Sequence, residues 1–364
     1  MQVSWLLDKK VDLWQSYIDD TYLAYKNTYG EIRIDLLSGE NRYGNKIPNK
    51  SISRLFSVFF SKTKFKTYYN YIWLDRHKID ILHIKRSYLF PVILTLLKNK
   101  DRPKIVITLR GSDTYLWPWV SEKWINFFSS KGFGIDAFIV QSKDQKLYAI
   151  KKGLPKEKIS IIPATVSKLP NIIKPRTLKN NQTVKIVSVY RFTWQKNIQG
   201  NLLFIKKLRE SILNIEYNIY GKGDILNTSQ IYYLADRLGI SDIIKIYDTK
   251  SNESIRKEFG KHDFILQLSL SESLGVSILE AMQVGLIPIV SNIGGLKDIV
   301  ENNVTGLIED SYNLEKIVLS FVSLWNNPLK YFSMSKSCID FVNEKYNNDV
   351  ECQKLYNLYK KLTG

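Results

Sequence analysis

The sequence predicts an α/β protein made of two doubly wound domains, and three observations lead to this prediction. The chain has 364 residues, more than one compact core usually holds. Short runs of continuous apolar residues alternate with helical patterns in both halves, as expected for parallel strands covered on both faces. Between the halves, residues 167–183 contain two prolines and many polar residues, which is typical of a linker.

From this pattern we expect an N-terminal domain over residues 1–170, a linker over 171–183 and a C-terminal domain over 184–340. The last segment, residues 341–364, belongs to an amphipathic helix predicted over Asp340–Leu362. One option is that this helix packs back on the first domain. Ligands of open parallel sheets bind at the carboxyl ends of the strands. The two domains are therefore expected to face a central cleft in which substrates meet.

The individual elements are predicted from the apolar runs and from the Gly, Pro and capping residues that begin or end them. The strands predicted in the first half are Val3–Leu7, Ile32–Leu37, Asp80–Ile84, Lys104–Leu109, Ala137–Gln141 and Ile159–Pro163. Its predicted helices are Leu13–Asn27, Phe90–Leu97, Glu122–Ser129 and Lys143–Lys152. In the second half the strands are Val184–Tyr190, Ile215–Tyr220, Ile243–Tyr247, Phe264–Leu268 and Ile287–Val290. Its helices are Asn201–Ser211, Ser229–Leu238, Ser254–Phe259, Val276–Gln283 and Gly295–Val300.

The composition excludes several classes of protein. Hydrophobic residues make up 44% of the chain and aromatic residues 13%, which is too rich for a disordered protein. Two cysteines cannot build a disulfide framework, and three histidines do not supply the usual zinc spacings. A signal peptide with a cleavage site and an apolar stretch of ~20 residues are both lacking. We expect a cytoplasmic protein, or one held peripherally on the inner face of the cell membrane.

The net charge of +18 is concentrated in the first half. Residues 1–180 hold 32 Lys and Arg against 15 Asp and Glu, whereas residues 181–364 hold 21 against 20. Such asymmetry indicates an anionic partner for the basic half: nucleic acid, an anionic membrane surface or a phosphorylated lipid. A solvated basic surface without a partner is the alternative.

The most informative stretch is residues 267–306, which begins where a predicted strand ends. A turn, Ser271–Gly275, leads directly into the helix that starts at Val276, and a helix start binds phosphate through its unpaired N–H groups. Glu272 precedes this anion site and Glu280 follows it, and both carboxylates are suited to accept hydrogen bonds from sugar hydroxyls. The alternative is a capping role for Glu272 and an ordinary helical position for Glu280.

This stretch resembles the donor-binding signature of the retaining glycosyltransferases of family four, the group 1 type. Glu272 and Glu280 have the family's spacing of a Glu, seven residues and a second Glu. The positions that follow the family pattern are Ser269, Ala281, Met282, Gly285, Pro288, Gly294, Gly295, Thr305 and Gly306. Leu268 replaces the family's Pro, Asp298 replaces a Glu, and Leu274 replaces an aromatic residue in the turn.

The resemblance implies a GT-B fold of two Rossmann-like domains and assigns roles to individual residues. It implies that Glu280 binds the ribose hydroxyls of the donor and that Glu272 touches the transferred sugar. The donor-binding backbone would come from Ser273, Leu274, Gly275 and Val276. In the loop after Val184–Tyr190, Arg191 and Lys196 match the family's pair of cations, and two cations suit a diphosphate. A solvated surface loop is the alternative there.

Two further loops complete the predicted site. Gly221 and Gly223 follow the strand Ile215–Tyr220, where the family has a glycine loop near the nucleotide, although Gly-x-Gly alone is a weak signal. In the first half, Arg110 and Asp113 stand where many family members carry a His pair facing the sugar. We expect Arg110 to contact an anionic acceptor or donor phosphate and Asp113 to orient a hydroxyl. A structural turn capped by Asp113 is the alternative.

A membrane or acceptor surface is predicted over residues 51–66, where apolar residues recur at helical spacing between basic ones. Its members are Arg54, Phe56, Phe59, Phe60, Lys62, Lys64 and Lys66. A helix that faces the core and has a solvated edge is the alternative.

The resemblance implies a retaining glycosyltransferase that uses a nucleoside-diphosphate sugar, with UDP or GDP expected as the nucleotide, and that needs neither a cofactor nor a metal ion. We expect its acceptor to be a glycan or lipid-linked glycan of bacterial envelope or capsule synthesis. The alternatives are a synthase with a soluble sugar product, or a non-catalytic protein that binds nucleic acid or sugar. A nucleic-acid-binding function would leave the pattern of Glu272 and Glu280 unexplained.

Overall fold

The structure is a computed structural model that describes residues 1–7, 12–30, 32–36, 79–94, 96–98, 100–169, 171–178 and 183–364. The segment 51–66 and the residues after the first strand, 8–11, lie outside the described residues, and so does the predicted membrane surface from Arg54 to Lys66. The chain forms two compact units: Met1–Pro163 together with Asn348–Gly364, and Ala164–Asn347. In the described part of the chain, no helix is both long and apolar enough to cross a membrane.

The first unit contains a parallel sheet of six described strands in the order β2-β1-β3-β4-β5-β6. The strands are β1 Val3–Leu7, β2 Ile32–Leu36, β3 Ile81–Ile84, β4 Lys104–Thr108, β5 Ala137–Val140 and β6 Ile159–Ile161. The helices are α1 Asp12–Tyr29, α2 Ser112–Tyr115, α3 Glu122–Ser129, α4 Lys143–Lys151 and, from the end of the chain, α12 Asn348–Thr363.

Apolar residues continue along these strands because both faces of the sheet are covered. Ile105 and Ile107 of β4 belong to one hydrophobic cluster, with Phe127 of α3, whereas Val106 between them belongs to a second cluster on the other side. Helix α12 contributes Tyr359 to that second cluster. Side chains alternate between the faces of a strand, so a strand buried on both sides needs apolar residues at every position.

The second unit contains another parallel sheet, in the order β12-β11-β10-β7-β8-β9. Its strands are β7 Val184–Val189, β8 Ile215–Tyr220, β9 Ile244–Tyr247, β10 Phe264–Gln267, β11 Ile287–Ser291 and β12 Leu307–Glu309. Its helices are α5 Ile198–Arg209, α6 Ile225–Arg237, α7 Asn252–Phe259, α8 Val276–Gln283, α9 Leu296–Ile299, α10 Leu314–Trp325 and α11 Pro328–Lys345. The prediction of two doubly wound parallel sheets is confirmed.

Two predicted helices are wrong. The described residues between 90 and 97 form no α-helix: 3-10 turns cover Ser87–Ile93 and Leu96–Lys98. Pro91 lies inside the first turn, where it lacks the N–H that a helix needs and restricts the residue before it.

The predicted single helix over Asp340–Leu362 is instead the end of α11 and nearly all of α12, separated at Tyr346 and Asn347. The carbonyl oxygen of Tyr346 accepts a hydrogen bond from the N–H of Val166 at 2.9 Å, and Val166 also forms a β-bridge with Asn347. A pairing with a segment distant in sequence thus competes with helical hydrogen bonding, which no local pattern reveals.

Candidate functional site

The strand order of the second sheet reverses between β7 and β10, which are neighbours although they are not consecutive in the chain. At such a switch point, the crevice outside the carboxyl ends of the two strands is where open α/β sheets bind ligands. The loop after β7 carries Arg191 and Lys196, and the loop after β10 carries Glu272. The fold therefore places three of the predicted site residues on the two loops of one switch point.

Hydrogen bonds hold these two loops together. The N–H of Leu270 donates to the carbonyl oxygen of Gln195 at 2.8 Å, and the side chain of Asn197 donates to the carbonyl oxygen of Leu268 at 2.9 Å. The fully buried Asn201 accepts from the N–H of Leu268 at 2.9 Å and donates to the carbonyl oxygen of Lys196 at 2.9 Å. The backbone near Lys196 is therefore fixed relative to the end of β10.

The side chains of Lys196 and Glu272 meet in an ion pair. The amide of Gln267 donates to the same carboxylate oxygen at 2.8 Å, and the N–H of Ser273 donates to the other oxygen at 3.1 Å. Burial raises the pKa of Glu272, but the charge of Lys196 and the hydrogen bonds outweigh it, so that the pKa is lowered overall. Glu272 is therefore a carboxylate with its negative charge balanced by one cation.

The turn after Glu272 packs on two glycines. A Cβ atom on Gly294 would lie 1.9 Å from the carbonyl oxygen of Glu272, and one on Gly295 would lie 2.1 Å from that of Ser273. Gly295 also donates its N–H to the carbonyl oxygen of Glu272 at 3.0 Å. Only glycine allows the two backbones to approach so closely.

Gly275 ends this turn and starts α8. Its φ of 96° is left-handed, and a Cβ atom there would lie 2.8 Å from Leu296. The chain therefore turns sharply from Glu272 into Val276 at the start of the helix. The N–H groups of the first helical turn have no partners within the helix and carry a positive partial charge, which favours an anion.

Glu280 lies on α8 and is only partly exposed. Burial raises its pKa to about 7, against the opposing charge of Arg256 on α7. Glu280 has no hydrogen bond among the described residues, and the buried Nε of Arg256 also has no partner there. A buried carboxylate without hydrogen bonds is costly, and hydroxyl groups of a ligand would supply the missing donors.

Arg191 is exposed, and within the described chain it is not part of the ion pair of Lys196 and Glu272. The structure thus brings Lys196 and Glu272 into contact and leaves the guanidinium of Arg191 open to solvent on the same loop. An exposed guanidinium keeps all of its donors available for a phosphate.

Gly221 and Gly223 are required by packing inside the protein. A Cβ atom on Gly221 would lie 2.0 Å from the carbonyl oxygen of Tyr190, and one on Gly223 would lie 2.6 Å from the Cβ of Phe192. The N–H of Phe192 also donates to the carbonyl oxygen of Lys222 at 2.9 Å. The loops after β7 and β8 are therefore in direct contact, and the glycines make that contact possible.

In the first unit, Asp113 holds its own loop together. Its buried carboxylate accepts hydrogen bonds from the N–H groups of Arg110 and Gly111, at 2.8 and 2.9 Å, and from the hydroxyls of Thr114 and Ser87. These four donors occupy the hydrogen-bonding capacity of the carboxylate. They favour the interpretation of Asp113 as the cap of a structural turn over its interpretation as a residue that orients a hydroxyl. Arg110 is partly exposed next to it.

Two residues of the site, Gln267 and Asn201, were not predicted from the sequence. Both are buried: Asn201 ties the segment after β7 to the end of β10, and Gln267 ties the end of β10 to Glu272 on the loop that follows it. The signal for Gln267 is a polar residue at the end of an otherwise apolar strand, Phe264–Gln267. Buried polar groups need partners, so such a residue indicates a nearby polar site.

Comparison with known families covers most of the chain. Residues 171–341 match the family described as Glycosyl transferases group 1. Residues 42–167 match the family described as Glycosyltransferase Family 4.

Two curated relatives illustrate how much of the chain is matched. An uncharacterized 41.2 kDa protein in the cps region of Klebsiella pneumoniae is 23% identical over 372 residues, which cover 97% of this chain and 92% of that protein. The amylovoran biosynthesis glycosyltransferase AmsK of Erwinia amylovora is 23% identical over 219 residues, and the match spans 58% of this chain and about half, 53%, of AmsK.

Solved structures share the fold over the full length. Anabaena HepE in complex with UDP-glucose has a TM-score of 0.76 at 13% identity and covers 99% of this chain and 100% of its own. Sucrose-phosphate synthase from Thermosynechococcus elongatus has a TM-score of 0.76 at 15% identity and covers 100% and 99%. The two family matches and this shared architecture identify the protein as a member of the group 1 glycosyltransferases with the GT-B fold.

Proposed function

We propose that the protein transfers a sugar from a nucleoside-diphosphate sugar to a hydroxyl group of a glycan or lipid-linked glycan, with retention at the anomeric carbon. The observation that carries the proposal is the pair of Lys196 and Glu272 at the switch point of the second sheet, directly before the start of α8. A cation, a carboxylate and an anion-binding helix start are the groups that a diphosphate linked to a sugar requires.

Each group has a separate role in donor binding. Lys196 and the N–H groups at Val276 bind the diphosphate, and Arg191 adds a second cation from the same loop as Lys196. Glu272 accepts hydrogen bonds from the hydroxyls of the transferred sugar. Glu280 accepts those of the ribose, as the family resemblance implies, and its lack of hydrogen bonds among the described residues supports that role.

The reaction needs no nucleophile from the protein. The acceptor oxygen forms a bond to the anomeric carbon on the face from which the phosphate oxygen departs. The bond between that carbon and the phosphate oxygen breaks, and its electron pair stays on the leaving diphosphate. The proton of the acceptor hydroxyl passes to that oxygen. Lys196, Arg191 and the helix dipole stabilise the negative charge that develops on the leaving group.

The acceptor is assigned to polysaccharide assembly from the relatives and from charge. Three of the relatives support this assignment: one is named for amylovoran biosynthesis, one is named for colanic acid biosynthesis, and one lies in a cps region. The excess of basic residues in positions 1–180 suits an acceptor that carries phosphate or lies at an anionic membrane. We place the enzyme in the cytoplasm, held peripherally at the inner face of the membrane.

The test is thermal stabilisation by a panel of UDP-, GDP- and ADP-sugars, since a ligand that binds only the folded state raises the melting temperature. We expect one nucleotide to stabilise the wild type and to lose most of this effect in Arg191→Ala. Arg237→Ala, which removes an exposed arginine at the end of α6, is the matched control and keeps the full shift. Failure of every donor, or an equal loss in both variants, contradicts the proposal.

A further inference from the structure

Exposed apolar side chains cluster in the connection that follows the carboxyl end of β4. Trp119 is 63% exposed and Val120 is 85% exposed, and Trp117 and Ile125 nearby are exposed by 36% and 45%. We call Trp117, Trp119, Val120 and Ile125 the aromatic tip. Single exposed apolar residues are ordinary, but a cluster that includes two tryptophans marks an interaction surface.

Local hydrogen bonds fix the backbone of the aromatic tip at Trp119 and Val120. The backbone N–H of Trp119 donates to Leu116 at 3.1 Å, and that of Val120 donates to Trp117 at 3.2 Å. The indole N–H of Trp119 is shared between the carbonyl oxygen of Tyr115, at 3.0 Å, and the hydroxyl of Tyr148, at 3.1 Å. The polar atom of the exposed indole is therefore satisfied inside the protein, and the surface that it presents to solvent is apolar.

Lysine side chains flank the aromatic tip. The ammonium group of Lys152 lies 3.2 Å from the centre of the Trp119 ring. On α3, two residues before Ile125, the exposed Lys123 donates to the carbonyl oxygen of Tyr88 at 3.0 Å and lies 5.6 Å from the centre of the Trp124 ring. Apolar groups that project between cations match the interface of an anionic bilayer, where tryptophan prefers to lie and each basic residue adds to the attraction.

We propose that the aromatic tip inserts into the headgroup region of an anionic lipid bilayer, with Lys123 and Lys152 facing the lipid phosphates. The inference deepens the proposed function, because a lipid-linked acceptor is presented at such a surface. A sugar ring stacked on Trp119 is the competing occupant. Val120, which has no hydrogen-bonding side chain and is the most exposed member of the tip, favours the bilayer, because a glycan would leave it in water.

The experiment measures sedimentation of the full chain with vesicles of phosphatidylcholine, with and without phosphatidylglycerol. The test variant is Val120→Asp, at a position so exposed that folding does not depend on it. We expect its partition onto the anionic vesicles to fall roughly tenfold, since a carboxylate replaces an apolar group beside a negative surface. Leu213→Asp is the matched control, because Leu213 is 86% exposed in the second unit and the charge change is the same.

A second measurement locates the contact. Lipids brominated on the acyl chain should quench part of the tryptophan fluorescence of the wild type, and Trp119→Phe should lose that part. Equal partition of Val120→Asp and Leu213→Asp, or quenching unchanged in Trp119→Phe, overturns the inference. The inference is also overturned if a soluble glycan changes the fluorescence of Trp119 while the protein does not bind vesicles. Donor-induced thermal stabilisation, measured on the same variants, remains if only the membrane inference fails and is absent if the proposed function fails.

Discussion

Lys196 and Glu272 form an ion pair across the carboxyl ends of β7 and β10, so that the cation proposed to bind diphosphate and the carboxylate proposed to bind sugar neutralise each other. Both side chains are mostly buried, at 18% and 14% exposure. In the donor complex that we propose, the phosphate of the nucleotide sugar replaces Glu272 as the partner of Lys196, and the sugar hydroxyls replace Lys196 as the partners of Glu272. Donor binding, as proposed, exchanges the ion pair for a charged interaction between phosphate and Lys196 and for hydrogen bonds from neutral hydroxyls to Glu272.

This exchange predicts opposite effects of one substitution on two ligands. In Glu272→Gln, Lys196 no longer has a competing carboxylate, so the nucleoside diphosphate alone should bind several-fold more tightly, a gain on the order of 1 kcal/mol. The additional affinity that the sugar contributes should shrink. Calorimetric titration with the diphosphate and with its sugar ester measures both. Weaker binding of the diphosphate to the variant would show that Lys196 does not compete between the two anions.

Gln267 is expected to act through Glu272. Gln267→Leu fits the buried end of β10 but removes the donor at 2.8 Å from the carboxylate. We expect kcat to fall about tenfold, corresponding to one hydrogen bond to a charged group, with a small change in the KM for the acceptor. Gln283→Leu is the control, since Gln283 is also buried and lies on α8 but donates to Ser167. A similar fall in kcat for both would indicate general destabilisation.

Glu280 is expected to make stability depend on pH. Burial raises its pKa from 4.5 to about 7 in the folded protein, so the folded state binds more protons than the unfolded state between these values. Stability therefore falls as pH rises from about 4.5 to about 7, and the full penalty, roughly 3 kcal/mol, is present above that range. Glu280→Gln removes the titration.

Chemical unfolding at pH 5 and pH 8 tests this expectation. The free energy of unfolding of Glu280→Gln, measured relative to that of the wild type, should increase from pH 5 to pH 8. The other titrating groups contribute equally to both proteins, so they cancel in this difference. The same variant should bind the donor less tightly, if Glu280 accepts the ribose hydroxyls. A stability difference that does not vary with pH contradicts the assignment of a raised pKa to this carboxyl.

Tyr359 is expected to anchor the last helix to the first sheet. Its buried hydroxyl accepts a hydrogen bond from the indole N–H of Trp5 at 3.1 Å and bonds the Nδ1 of His83 at 2.5 Å. Tyr359→Phe leaves those groups without their partner and should lower the free energy of unfolding by about 2 kcal/mol. Tyr356→Phe, on the same helix, should change it little, because Tyr356 stacks on Tyr29 through its ring. Denaturant titration of both variants distinguishes a specific anchor from a general effect on α12.

Local patterns were sufficient for much of the fold. The predicted strand Ile215–Tyr220 and the predicted helices Glu122–Ser129 and Val276–Gln283 have the bounds found in the structure. In each case continuous apolar residues or a helical period coincide with clear end signals such as Gly275. The helix predicted over Phe90–Leu97 failed because Pro91 interrupts the hydrogen bonding, and the one over Asp340–Leu362 failed because Val166 pairs with the chain at Asn347.

The sequence by itself determined the two parallel sheets, the βα rhythm and the loop that contains Glu272, Gly275 and Glu280, because apolar periodicity, glycine and residue spacing are properties of short segments. Only the tertiary structure decided that Lys196 neutralises Glu272, that Gln267 supports the same carboxylate and that Asp113 is used by its own loop. Those relationships depend on which strand ends become neighbours and on how far each side chain is buried. Strand order and burial arise from packing the whole unit, and no short stretch of sequence contains them.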